Sequence, residues 1–202
     1  MNYLYLCDNA CFYRAAKTKQ IYQIKYEKDV LSNGKVNNER KFYKETYNYL
    51  KHNKLINVFL NQKITCVTNP LYLDSDRAFL KDILEKLNYT SIYFKNVLDI
   101  LDLEDNNFIE YNTNYIFLYY LDEYNYSCFK FIPSNFFEAK SNLYEYIGKV
   151  ISINNKNIIT FGNLVDKEAL EKIEKCAGIK IFYVEYPEEY LLNICPIWTN
   201  GF

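Results

Sequence analysis

Carboxylates in turns are the most chemically suggestive residues of this sequence. Asp8 stands between two strand-like runs, in Leu6-Cys7-Asp8-Asn9-Ala10-Cys11, and Asp122 does the same in Leu121-Asp122-Glu123-Tyr124-Asn125. Two such carboxylates can hold a hydrated Mg²⁺, and Asp is also a good turn residue in its own right. Asp76 opens a helical run, where a first-turn acid complements the helix dipole. Gly162 closes an apolar run and supplies a strand-to-helix turn. The single histidine, His52, removes most general-base and metal schemes; its setting, Lys51-His52-Asn53-Lys54, suits a helix C-terminus. Five glycines in 202 residues leave little backbone for cradling phosphate. The sequence contains neither a nucleophile elbow nor a glycine-rich P-loop. The six cysteines, Cys7, Cys11, Cys66, Cys128, Cys176 and Cys195, form no C-x-x-C pair. Most lie in apolar runs and are expected as buried, reduced thiols, with no metal site among them.

Composition sets wider bounds. Hydrophobic residues make up 50% of the chain, enough for a sizeable core. The 24 Lys and Arg against 25 Asp and Glu give a net charge of −1, which excludes a polybasic nucleic-acid or membrane-surface binder as the default. No apolar run approaches the roughly 18 residues of a membrane span. The opening residues Met1 to Asp8 carry no Lys or Arg and reach a charge by position 8, unlike a signal peptide, so a cytoplasmic location is expected. Abundant Lys, Asn and Tyr, with Arg only at 14, 40 and 77, read as an AT-rich genome rather than as function.

The elements that must position these residues follow from periodicity and turn signals. Strands are predicted over 3–7, 11–16 and 20–26, then a turn at Asn33-Gly34. Asn38 caps a helix over 39–53, with Phe42, Tyr43, Tyr47 and Leu50 at helical spacing. A strand over 63–68 leads to a helix over 76–88 capped by Asp74 or Ser75, with Phe79, Leu80, Ile83, Leu84 and Leu87 on one face. A strand at 91–94 and a short helix at 97–103 close the first half. Residues 104–114 are polar and read as a junction between an N-terminal lobe, 1–103, and a C-terminal lobe, 115–202. The second half is predicted as a hairpin of 115–121 with 126–132, a helix over 137–151, a strand over 157–161, a helix over 165–177 stopped by Gly178, a strand over 179–184, a helix over 188–194 and a tail. The run Tyr115 to Tyr120 reads as a central buried strand. Both halves thus open on a hairpin with Asp at its turn, and strand–helix–strand order implies parallel pairing with right-handed crossovers. The expected fold class is α/β, two similar lobes, each a mixed sheet with flanking helices.

This order resembles the actin-like ATPase superfamily, with its ribonuclease H-like lobes: the bacterial actin-like, division and pilus proteins, and the chaperone and sugar-kinase branches. The resemblance spans the whole chain. It is carried by Lys28 to Val36 before the first long helix, by Val67-Thr68-Asn69-Pro70 followed by Asp76-Arg77-Ala78, by Ile158 to Asn163, and by Gly178-Ile179-Lys180-Ile181. It implies that the lobes pack around a shared cleft with the family's inserted subdomains lost, that Asp8, Asp122 and Gly162 would face Mg-ATP, and that Asp76 would position the attacking water. The glycines that this chemistry requires are missing. Asn9-Ala10 follow Asp8, Glu123-Tyr124-Asn125 follow Asp122, and Asn163 follows Gly162. A side chain at such places keeps backbone N–H groups from phosphate, and Glu123 adds negative charge.

The expectation is therefore a non-enzymatic actin-like scaffold or partner protein in a cytoplasmic assembly of cytoskeletal, division or pilus type, with no cofactor. Alternatives are a minimal ATP-binding protein that uses Asp8, Asp122 and Gly162, and an unrelated α/β protein of a mobile element. Trp198 and Phe202, large aromatics in the tail after Pro196, are candidates for contact with a protein partner or a second copy.

Overall fold

Apolar and aromatic residues make the first strands; a tight connection joins β1 to β2, and six residues join β2 to β3. In the computed structural model, described over residues 1–7, 9–56, 62–111, 115–132, 145, 147–150, 154, 156–162, 171, 174, 175 and 180–184, β1 (Asn2–Cys7), β2 (Ala10–Arg14) and β3 (Ile21–Lys25) form an antiparallel meander. A small hairpin of β4 (Leu31–Ser32) and β5 (Lys35–Val36) follows. Next come α1 (Glu39–His52), β6 (Gln62–Thr68), α2 (Asp74–Lys86) and β7 (Tyr89–Asn96). Strands β6 and β7 run parallel to β1, giving the order β3-β2-β1-β6-β7.

The helices bury one stripe each. Asn38 caps α1 as expected, its side chain accepting from the Lys41 N–H at 3.1 Å, and Phe42, Thr46 and Leu50 face inward four residues apart. Helix α2 buries Leu80, Ile83 and Leu84 but leaves Phe79 37% exposed, so the expected apolar face is one residue too wide. Its N-cap is Leu73 rather than Asp74 or Ser75. With no oxygen on Leu73, half of a capping box remains: Asp76 at the third helical position accepts from the Leu73 N–H at 2.8 Å. Leu4, Leu6, Cys11 and Tyr13 of the sheet meet these helices in one core with Ile24, Ile64 and Cys66.

Two expectations near position 100 are corrected. The helix foreseen at 97–103 is a single 3₁₀ turn, Val97–Asp99, closed by Asn96 and Asp99 side chains. The polar stretch foreseen as a junction contains β8 (Asn106–Tyr111), an inner strand. Asn107, Phe108, Ile109 and Glu110 are all buried there, because the strand has neighbours on both edges and cover on both faces; polarity alone hides this.

With β9 (Ile116–Leu121), β10 (Ser127–Ile132), β11 (Asn157–Gly162) and β12 (Ile181–Val184), β8 forms a second sheet ordered β10-β9-β8-β11-β12. Strand β9 is internal and Ile116 to Tyr119 are buried, as its sequence suggested. Met1–Ile100 and Leu101–Tyr190 form two separate compact units. Each holds three antiparallel strands, then two strands parallel to the first. The helices expected at 137–151 and 165–177 lie largely outside the described residues, and the helix at 188–194 and the tail lie wholly outside them.

Candidate functional site

In the first unit the chemistry gathers where β1 and β6 end. Cys7 pairs with Ala10, and Asn9 lies in the connection between β1 and β2. Asp8 itself lies outside the described residues. Asn9 takes φ +58°, which a short hairpin turn demands, and its carbonyl accepts from the Tyr26 N–H at 2.8 Å. The β4–β5 turn leans on this end. Gly34 has φ +68°, and a Cβ there would lie 2.9 Å from the Leu6 carbonyl oxygen and 2.8 Å from Asn69 Nδ2. Buried Asn69 locks the turn by donating to the Asn33 carbonyl at 2.8 Å while accepting from the Leu71 N–H.

Lys35, leaving that turn, meets Asp76 at 2.6 Å. Partial burial works to raise the Asp76 pKa, but the Lys35 ammonium and the Leu73 N–H outweigh it, so the net shift is downward. A carboxylate held through Oδ2 by a cap and an ammonium, with a depressed pKa, is a weak general base. Lys35 is likewise engaged.

The second unit corrects the pairing of the two turn aspartates. Counted along the sheet, β8–β9 corresponds to β1–β2, so the counterpart of Asp8-Asn9 is Asn112-Thr113-Asn114, outside the described residues. Asp122 sits one hairpin later, between β9 and β10. Its Oδ1 accepts from the Tyr124 and Tyr126 N–H groups at 2.9 and 3.0 Å, and Asn125 takes φ +62°. This is an aspartate closing its own turn. It lies where β8 and β11 begin, beside Asn154, which donates to the Leu121 carbonyl and exchanges bonds with Asn107. Gly162 is at the other end of β11, paired with Tyr111. At about 3.3 Å per residue, the six-residue offset in register separates Asp122 from Gly162 by roughly 20 Å along the strand direction. The structure does not bring these two together.

What sequence reading missed is Glu110. It is 1% exposed, the sole buried carboxylate among the described residues, and stands in register with Phe161, one place before the Tyr111–Gly162 pair. Tyr119 donates to it at 2.6 Å and Tyr115 at 3.5 Å. Burial, and then the negative charge of Glu110, push the Tyr119 phenol well above its usual pKa, so it remains a donor. The signal was Phe108-Ile109-Glu110-Tyr111, an apolar alternation inside a polar stretch.

The other candidates serve structure. His52 lies in the last turn of α1. Cys11 and Cys66 are buried free thiols, while Cys7 and Cys128 are half-buried and Cys176 and Cys195 lie outside the described residues. Cys11 touches the Tyr26 hydroxyl at 3.1 Å, which in turn bonds Thr46 at 2.7 Å. Among the described residues no cluster of His, Cys, Asp and Glu suits a metal ion.

A polyphosphate needs free backbone N–H groups beside glycine and a nearby cation. The described residues do not fit it: Ala10 carries a buried side chain in a register shared with Cys7 and Lys25, Lys35 is bound to Asp76, and Glu110 is closed in by two tyrosines.

No protein-family model and no curated protein sequence matches the chain. Solved structures do. An MreB 5 of Spiroplasma citri bound to AMPPNP superposes with TM-score 0.64 at 8% identity, over 98% of this chain and 96% of that one. The ethanolamine utilization protein EutJ of Carboxydothermus hydrogenoformans gives 0.66 at 10% identity, over 96% and 88%. A Bacteroides thetaiotaomicron protein with an actin-like ATPase fold gives 0.57 at 10% identity, over 95% of both chains. The doubled strand order and a likeness that runs through nearly the whole chain lead to one conclusion: this protein has the fold of the actin-like ATPases.

Proposed function

We propose that the protein is a non-catalytic actin-like scaffold or partner subunit in a cytoplasmic assembly of cytoskeletal, division or pilus type. The carrying observation is the β1–β2 turn. Ala10 stands, with its side chain buried, where nucleotide binding calls for glycine, and Lys35 of the neighbouring turn is bound to Asp76. The state of Asp76 adds support, since its Oδ2 is held by both Lys35 and the start of α2. That no described helix is long and apolar enough to cross a membrane agrees with this reading.

The competing reading is a minimal ATP-binding protein, favoured by a buried acid, Glu110, next to the Gly162 end of β11, and by the AMPPNP in the Spiroplasma citri structure. Calorimetry with Mg-ATP on the full chain separates the two. The scaffold reading expects no saturable binding in the micromolar range and hydrolysis at background. A micromolar constant that weakens in Asp8→Asn or Glu110→Gln overturns it. Asp122→Asn serves as the internal control, because that side chain closes its own turn.

A further inference from the structure

The first unit carries a cavity of about 530 Å³ at the end of its sheet remote from the Asp8 turn, where β1 and β6 begin. Its walls come from the start of β1, the β2–β3 turn, the residues after α1, and the start of β6. Asn2 ties two of these walls: its side-chain amide donates to the Lys63 carbonyl at 3.1 Å, and its oxygen accepts from the Ala16 N–H at 2.9 Å. The α1 wall is fixed by Lys54 at φ +55° and by Leu55 N–H bonding back to the Leu50 carbonyl at 2.8 Å. Ala15 and Leu55 belong to or pack on the apolar core, so one side of the cavity is greasy.

The charged lining is of one sign. Lys17, Lys54 and Lys63 line the cavity and no acid does. None of the three is paired with a carboxylate among the described residues. The sequence from Leu55 to Gln62 holds no acid that could offset them. On a chain of net charge −1 this local excess is not explained by overall composition. Three ammonium groups on flexible stems, around a volume typical of small-molecule sites, suit a compact polyanion with an apolar body.

We infer that this cavity is a binding site for a small phosphorylated molecule, whose phosphate meets Lys17, Lys54 and Lys63 while its apolar part lies against Ala15 and Leu55. The site belongs to the first unit alone and is independent of the nucleotide question, since it lies at the other end of β1.

Phenyl phosphate is the probe, titrated calorimetrically into the full chain at low salt, with inorganic phosphate and benzyl alcohol as the charge-only and ring-only controls. Saturable binding is expected for phenyl phosphate, weaker binding for either control, and weakening as salt rises. The triple variant Lys17→Gln, Lys54→Gln, Lys63→Gln loses roughly tenfold or more in affinity. All three positions are exposed, so its melting temperature should stay close to that of the native protein. The triple Lys→Arg variant retains binding, which guards against a folding artefact, and Asp8→Asn leaves it unchanged. Absence of saturable binding, equal affinity in the triple Gln variant, or a loss that follows Asp8→Asn instead overturns the site.

Discussion

Glu110 shows how much one buried charge asks of its neighbours. A carboxylate in an inner strand is tolerated only with donors, and Tyr119 and Tyr115 supply them. Tyr119→Phe should therefore cost about 1–3 kcal/mol by urea denaturation, against no more than about 0.5 kcal/mol for Tyr124→Phe on an exposed turn. Adding Glu110→Leu to Tyr119→Phe should recover part of that loss, because no acceptor is then stranded. Cys11 contributes, with the equally buried Cys66, to the alkaline limit of the first unit. Burial, partly offset by the Tyr26 hydroxyl, pushes its thiol from 9.0 up to about 12. The folded state thus holds this proton more tightly than the unfolded chain does. The resulting stability is complete below pH 9 and is lost as pH rises toward 12. Tyr13, raised to about 12 chiefly by burial, acts in the same sense from pH 10 upward. Denaturation midpoints should fall steeply over this range, and Cys11→Ala should make the fall shallower.

At the level of elements, the β4–β5 hairpin is the piece most tightly bound to one residue type. Gly34 is positive in φ and pressed against the Leu6 carbonyl and Asn69. The contact with backbone cannot be relieved by moving a side chain. Gly34→Ala should destabilise the protein by about 1–3 kcal/mol and speed hydrogen exchange at Asn69 and Leu71, whereas Asn33→Gly, at φ +53°, should be tolerated. Helix α2 illustrates a different economy. Lacking a polar N-cap residue, it relies on Asp76, so Asp76→Ala removes a cap and the partner of Lys35 together. A loss of about 1 kcal/mol in stability is expected, with no effect on any phosphate probe bound at the far cavity.

For the whole molecule, two sheets of one strand order within a single short chain make the actin-like fold without the glycines its chemistry uses. If the protein works as a scaffold, its assembly surfaces matter more than a catalytic site. The tail carries Trp198 and Phe202, and deletion of 196–202 tests it. The scaffold proposal expects unchanged thermal stability with a fall in assembled mass by light scattering, since docking between chains depends on concentration. A lower melting temperature in a protein monomeric before and after would instead make the tail part of the fold's own core.

Local chemistry made much of this legible in the sequence. Asn38 before α1, Asn33-Gly34 between β4 and β5, and the apolar alternation of β1, β2, β9 and β11 each specify structure within a few residues, and together they already pointed to two mixed sheets. The tertiary structure decided the rest, because it depends on what covers a strand rather than on what the strand contains. Asn107 to Glu110 look like part of a linker until neighbours on both sides bury them. Once β8 is counted as the first strand of its sheet, the Asp122 turn moves one hairpin along, to the end opposite Gly162, and Glu110 takes its place among the candidates. The lysine-lined cavity is likewise absent from any local pattern: residues 17, 54 and 63 share no motif, and only the closure of β1, β6 and the end of α1 onto one another sets their charges around a common space.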